Sequence, residues 1–396
     1  MDRRLLHVSL RSDPLRPQDR PSASGQAVLV QDTVRALQAH GYGVDVLTAQ
    51  TTPNDSRRSV LGQMGRIIRL RASSGRQDDA SWTAALGALT DEALQWVREE
   101  GARRYRLVHS YYWISAGVAG PLARALRLPW VHTPLVLPEP AADSATAVMV
   151  RRQLKEADRV IVSNSEMADR VIALEPEARV RVVPPAVDPT VFFPRDPGPI
   201  LRRLQLSRRG ILLVVSEQNH EPARQFLRVW QAADGAGRIP HDCRLVVVGV
   251  GASDETFAVF GGPRVVWAGS VPHRRLPGYY AAATCTIVPG TRHTLGLAAL
   301  ESLASGVPVV ASRVAALEQV MWSNDTGVLV PRDDMETMLE QAVALWNDPG
   351  LAARFGRRGQ EVVRDCFTVD RMAREILRLY DDLDAAGRLQ AVGIGR

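Results

Sequence analysis

The chain has 396 residues, 45% hydrophobic and 23% charged, long enough for two domains that each bury a core. Its net charge of +6 permits attraction to phosphate, but acids are interspersed throughout and no Lys/Arg block forms a nucleic-acid arm, so nucleic-acid binding is not expected. Three scattered cysteines, Cys243, Cys285 and Cys366, exclude a disulfide framework or a zinc site, and no run approaches 18 apolar residues, so no membrane span is expected.

The opening MDRRLLHVSL has too short an apolar run for a signal peptide, and residues 5–10 predict a first strand; the cytoplasm is the default location. A long polar loop follows, with Arg11, Arg16 and Arg20, and then helical spacing over 27–40 and a strand over 44–48, which make a βαβ unit. Residues 65–70 predict a short strand and 84–100 an amphipathic helix. Short apolar strands over 107–109, 130–132, 160–163 and 180–183, separated by helices, continue a doubly wound sheet. Prolines concentrate at 184–199. A second series of strands then runs over 210–215, 245–248, 265–267, 285–288 and 307–311. From 335 onward the pattern is helical, with a closing helix over 371–383. The predicted fold class is α/β, with two Rossmann-like doubly wound domains facing a ligand cleft at the carboxyl ends of both sheets. The boundaries are 1–185, 186–370, and a helix and tail over 371–396.

The most informative stretch is VPGTRHTLGLAALESLASGVPVVAS at 288–312. A strand ends at Pro289-Gly290, a loop follows, and a helix over 298–304 carries one acid, Glu301, before Gly306 stops it. A loop entering a helix N-terminus directs backbone N–H groups at one point, and phosphate is the usual guest. Read from its residues alone, the same stretch is also ordinary α/β architecture. Glu301 is then a solvated helix carboxylate, and Gly25 and Gly296 are simple turn requirements.

These segments resemble the retaining GT-B glycosyltransferases of family 4, which include mycothiol-pathway and aminoglycoside-biosynthesis enzymes. The resemblance rests on VVPPAVDPTVFFP at 182–194, AGSVPHRRLPGYYAAATCTIVPG at 268–290, LGLAALESLASGVPVVAS at 295–312 and DTGVLVPRDD at 325–334. SGQAVLVQDTVRALQAHGYGVDVLT at 24–48 and LVHSYYW at 107–113 extend it into the N-terminal half. It implies a nucleoside diphosphate sugar as donor, with UDP or GDP as the carrier, and a small polar acceptor of antibiotic-type metabolism. Glu301 would accept from the ribose hydroxyls, Gly296 and Leu297 would offer backbone N–H groups to the diphosphate, and Val271 and Pro272 would grip the base. Gly25 would approach the sugar or phosphate from the N-terminal loop. His109, with Trp113, Tyr111 and Tyr112, ends a strand where cleft residues collect, and with Gly25 and His293 it is a candidate for the catalytic set; a core Trp113 and a capped His109 are equally open readings. No separate cofactor or metal is implied, because a helix end and basic side chains neutralise the leaving group. The oligomeric state is open, a homodimer included.

The sequence departs from the family at three places. His293 stands where the first acid of a Glu-x7-Glu pair is expected, a position that touches the donor sugar, and an imidazole still hydrogen-bonds a hydroxyl. Glu217 and Pro222 replace an Arg and a Lys that bind the diphosphate, leaving Arg224, Arg292 or Arg313 to compensate. Pro134 and Leu135 follow Thr133 where a His near the reacting carbon is usual. A catalytically degenerate GT-B protein acting as a partner or regulator is the rival reading.

Overall fold

Runs of four to seven Val, Ile, Leu and Ala residues are too short for helices, and in a parallel sheet they are covered on both faces, so they stay apolar throughout. The computed structural model describes residues 4–11, 13–15, 25–50, 54–71, 79–137, 144–215, 220–251, 253–291 and 294–393. The first half contains β1 (Arg4–Val8), α1 (Gly25–Ala39), β2 (Gly43–Ala49), β3 (Arg58–Leu61), β4 (Gly65–Leu70), α2 (Asp79–Glu100), β5 (Tyr105–Tyr111), α3 (Tyr112–Leu126), β6 (Trp130–Thr133), α4 (Ala145–Glu156), β7 (Arg159–Val162), α5 (Ser165–Leu174) and β8 (Val180–Val182). The second half contains α6 (Gly198–Arg203), β9 (Gly210–Val214), α7 (His220–Gly235), β10 (Leu245–Val248), β11 (Val265–Gly269), α8 (Leu276–Ala281), β12 (Ala283–Val288), α9 (Leu297–Ala304), β13 (Val309–Ser312), α10 (Ala315–Val320), β14 (Gly327–Val330), α11 (Met335–Asn347), α12 (Pro349–Cys366) and α13 (Val369–Gly393).

The chain forms two compact units. One comprises the described parts of 1–16, 26–184 and 370–396; the other comprises 185–369 together with Gly25. The last helix thus groups with the first unit, which the sequence reading had left as a separate segment. In the first unit the strand order is β3-β4-β2-β1-β5-β6-β7-β8, parallel except for the β3–β4 hairpin. β3 has no signature along the chain, because RSVL is short and half charged or polar and its pairing comes from the neighbouring β4. In the second unit the order is β11-β10-β9-β12-β13-β14, all parallel.

The sheet of the second unit has two buried faces. Ile211 and Leu213 pack with Phe226, Trp230 and Leu339 on one side, while Leu212 and Val246 pack with Tyr280, Leu300 and Leu303 on the other. The first unit has a matching core around Leu6, Val8, Val108, Leu89, Trp96 and Ile114. In both sheets the order reverses once, between β1 and β5 and between β9 and β12. Ligands of open α/β sheets settle at the carboxyl side of such a reversal, because the connections leave in opposite directions and open a crevice.

Candidate functional site

In the second unit, the chain leaving β12 at the reversal passes through Gly290. A Cβ there would meet Leu317 Cδ1 at 2.7 Å and Val314 Cγ2 at 3.1 Å, so a larger residue would have to push Leu317 aside. Thr294 closes the turn, donating its N–H to Thr291 O at 3.0 Å and accepting the Thr291 N–H on Oγ1 at 2.8 Å. Gly296 is the N-cap of α9, in the left-handed region with φ 79°. Any Cβ at Gly296 would stand 3.2 Å from Ala316 O. No side chain caps α9 among the described residues, so the N–H groups of its first turn, Leu297 included, have no side-chain acceptor there.

Glu301, one turn further on, is 5% exposed and is therefore not a solvated helix carboxylate. His273 Nε2 lies 2.6 Å from its Oε1, and the Tyr280 hydroxyl donates to its Oε2 at 2.8 Å. Burial, and after it the Glu301 charge, raises the Tyr280 phenol well above its ordinary range, so Tyr280 stays a donor. The rotation of α9 is fixed by Ser302, whose Oγ bonds Thr286 Oγ1 at 2.7 Å and donates to Val307 O at 3.0 Å. With Ser302 pinned to the sheet, the preceding carboxylate faces His273 and Tyr280. Two of its lone-pair directions are used and the rest remain for donors such as ribose hydroxyls. His273 and Tyr280 escaped the sequence reading because 28 and 21 residues separate them from Glu301; their place in the motif at 268–290 was the available signal.

Val271 and Pro272 lie between β11 and α8. Val271 is half-buried against the core, and Pro272 O accepts the Arg275 N–H at 2.7 Å, starting a short 3-10 turn that presents His273. Arg224 sits one turn into α7, where Glu221 of the first turn holds its guanidinium (Nε to Oε2, 3.0 Å). That ion pair keeps the Glu221 carboxyl below its usual range. Arg313 bonds Glu318 at 3.1 Å and Leu329 O at 3.4 Å. Pro222 is in the first turn of α7 and has no N–H to offer. His293, Arg292, Glu217, Arg16 and Arg20 lie outside the described residues.

At the reversal of the first sheet, Arg11 follows β1 and Tyr112 follows β5. Arg11 Nη1 donates to Tyr112 Oη at 2.9 Å, and the guanidinium carbon lies 5.1 Å from the ring centre. Tyr112 has φ 70°, an uncommon conformation for a bulky residue, and it turns the chain from strand to helix. Leu135, just past β6, is also left-handed, with φ 63°. Behind Arg11, Ser115 Oγ accepts the Leu10 N–H at 3.0 Å, and buried Asp13 pairs with Arg69 at 2.7 Å. Gly25 is the first residue of α1.

His109 is 1% exposed and Trp113 4%, both in the interior of the first unit. His109 Nδ1 is 2.5 Å from Tyr380 Oη and its Nε2 is 2.8 Å from Thr133 Oγ1. Both ring nitrogens are engaged. That placement corrects the expectation that His109 faces a substrate: its ring is enclosed by protein groups. Tyr111 is also buried, its hydroxyl 3.2 Å from His7 Nδ1. Burial pushes His7 and His132 down to about 3 and lowers His109 well below the ordinary imidazole value, so all three are neutral at pH 7. Among the described residues, no group of three or more His, Cys, Asp or Glu side chains is placed to hold a metal, and no helix is long and apolar enough to cross a membrane.

Two family models match the chain, a glycosyl transferase 4-like domain over 24–186 and glycosyl transferases group 1 over 209–348. A D-inositol 3-phosphate glycosyltransferase from Acidothermus cellulolyticus is 30% identical over 98% of this chain and 92% of its own length. Another, from Mycobacteroides abscessus, is 31% identical over 83% of this chain and 78% of its own. Among solved structures, a sucrose-phosphate synthase from Thermosynechococcus elongatus superposes with TM-score 0.84 at 26% identity, covering 97% of this chain and all of that one. The Anabaena protein HepE, solved with UDP and glucose, has TM-score 0.73 at 14% identity, covering 96% of this chain and 99% of that one, a likeness of fold alone. With two α/β units on largely parallel sheets, a helix α9 that no described side chain caps, and near full-length likeness at 30% identity, the chain belongs to the group 1 family of GT-B glycosyltransferases.

Proposed function

We propose that the protein is an active retaining transferase that moves a sugar from a UDP- or GDP-linked donor to a small polar acceptor. The observation that carries this reading is Glu301, a buried carboxylate held by His273 and Tyr280 one turn from the uncapped N-terminus of α9. The carboxylate suits two ribose hydroxyls, while the helix N–H groups and the dipole suit a diphosphate. In the retaining step the bond from the anomeric carbon to the leaving phosphate breaks, and the acceptor oxygen bonds that carbon on the same face. The acceptor's proton passes to the departing phosphate oxygen. The protein's part is positioning and charge stabilisation, without a side-chain base and without a required metal. His293, with seven residues between it and Glu301 in the Glu-x7-Glu register, is assigned to a donor-sugar hydroxyl.

For the acceptor we favour a cyclitol carrying an anionic group, in specialised metabolism of the antibiotic-precursor kind. Arg11 and Tyr112 at the first reversal support an anion, and the curated relatives cited above are named for inositol 3-phosphate. Calorimetric titration with UDP and GDP is the first test, followed by incubation of UDP-glucose or UDP-N-acetylglucosamine with D-inositol 3-phosphate or unphosphorylated inositol. Binding of one nucleotide at micromolar to sub-millimolar concentration and an α-linked product are expected. Absence of binding to either nucleotide at millimolar concentration overturns the donor reading. Binding without turnover of any acceptor favours the degenerate protein that Pro222 and Leu135 suggest.

A further inference from the structure

We infer that Tyr380 of α13 is a positioning residue for the turn at residues 133–136, acting through His109. The inference rests on the proposal that the first unit receives the acceptor. Thr133 ends β6, and the chain then turns sharply: Leu135 has φ 63° and the Val136 N–H donates back to Pro134 O at 2.7 Å. A left-handed leucine persists only where its surroundings over-determine it. Its first fixed point is Thr133, whose Oγ1 lies 2.8 Å from His109 Nε2.

The other nitrogen of the same ring is 2.5 Å from Tyr380 Oη, and Tyr380 is 2% exposed. The ring is also fixed on its faces, stacked on Tyr111 at 4.4 Å between centroids and meeting His7 edge-on at 5.1 Å. A neutral imidazole donates at one nitrogen and accepts at the other, so the bond at Tyr380 sets the tautomer that Thr133 meets. When the Tyr380 hydroxyl donates to Nδ1, Nε2–H donates to Thr133 and leaves the threonine's own proton to the turn. Loss of the Tyr380 hydroxyl leaves Nδ1 only the longer contact to Tyr111 Oη at 3.4 Å and lets the ring change tautomer. The closing helix is thereby coupled to the carboxyl end of β6, beside the reversal where Arg11 and Tyr112 lie.

Tyr380→Phe, which keeps the ring, is compared with Thr133→Val, which breaks the far end of the chain of bonds, and with Thr133→Ser, which keeps the hydroxyl. Hydrogen–deuterium exchange is measured by peptide, UDP affinity by calorimetry, and steady-state kinetics with a UDP-sugar and D-inositol 3-phosphate. Tyr380→Phe and Thr133→Val are each expected to speed exchange in peptides spanning 130–137, with the second unit unchanged. The KM for the acceptor should rise about 10-fold, the scale of one buried hydrogen bond, while UDP affinity stays as in the wild type. The double variant should be no worse than the worse single variant, and Thr133→Ser should behave as wild type. Faster exchange spread over the whole first unit, multiplicative effects in the double variant, or an unchanged turn overturns the inference. If the wild-type protein uses none of these acceptors, the proposed acceptor fails, while the exchange data still decide the role of Tyr380.

Discussion

Where the chain leaves β12, the second sheet uses glycine: Gly290 admits the close approach of Leu317, and Gly296 takes φ 79° to start α9 with its N–H groups uncovered. Where it leaves β5, the first sheet uses Tyr112 at φ 70°, a bulky residue whose hydroxyl meets Arg11. Both turns stand at the reversal of a parallel sheet, yet one offers backbone and the other side chains. A backbone surface suits a diphosphate, which is the same in every donor, whereas long polar side chains suit an acceptor, where selectivity resides. The buried titratable groups differ as well. The first unit hides three neutral imidazoles and pairs its buried Asp13 and Asp45 with arginines, whereas the second holds its buried Glu301 with a histidine and a tyrosine.

The largest effect expected from this contrast is on acid stability. His7 and His132 have folded values of about 3 against 6.5 unfolded, so below pH 6.5 the unfolded chain binds more protons. Stability is complete above about pH 6.5 and falls as the pH drops toward 3, each of these two histidines costing on the order of 2 kcal/mol by pH 5. Calorimetric scans from pH 7.5 to 5 should show the first unit melting earlier as the pH falls; equal shifts of both units would remove this difference between them.

Next comes Glu301→Ala. Loss of a charged acceptor for two donors costs about 3 kcal/mol, roughly 100-fold in Kd for UDP. An affinity within threefold of wild type would show that the nucleotide does not use this carboxylate. A smaller loss is expected from Gly296→Ala, because left-handed alanine is strained by about 1–2 kcal/mol and its Cβ would crowd Ala316 O at 3.2 Å. UDP binding should weaken about tenfold with acceptor KM unchanged, sharpening the view that backbone serves the donor alone. The smallest is Arg11→Gln, which should raise acceptor KM about fivefold, an effect of ~1 kcal/mol that shrinks with added salt. If Arg11→Gln weakens UDP binding equally, the division between donor and acceptor turns is wrong.

Much of this site could be read along the chain. Residues 288–312 announce a strand, a glycine turn and a helix with one acid, and the structure has β12, α9 and β13 there. Other features depend on partners distant in sequence. β3 exists because β4 offers it an edge, and Glu301 is buried because Tyr280 and His273 fold over it. His109 looked like a residue facing the ligand because it ends a strand, but Tyr380, 271 positions later, closes over it. Ion pairs mislead in the same way: Arg224 reads as a spare cation until Glu221, one helical turn back, is seen to hold it.

Sequence alone determined the two α/β halves, most of their strands other than β3 and β14, and the location of the glycine-bearing turn, because these follow from local apolar periodicity and backbone requirements at single residues. Tertiary structure alone decided the lateral order of the strands, and with it which turns meet at each reversal. It also decided that Glu301 is clamped and that His109 is enclosed. Burial and hydrogen-bond partnership are properties of residues brought together from far apart, and no local pattern in the chain encodes them.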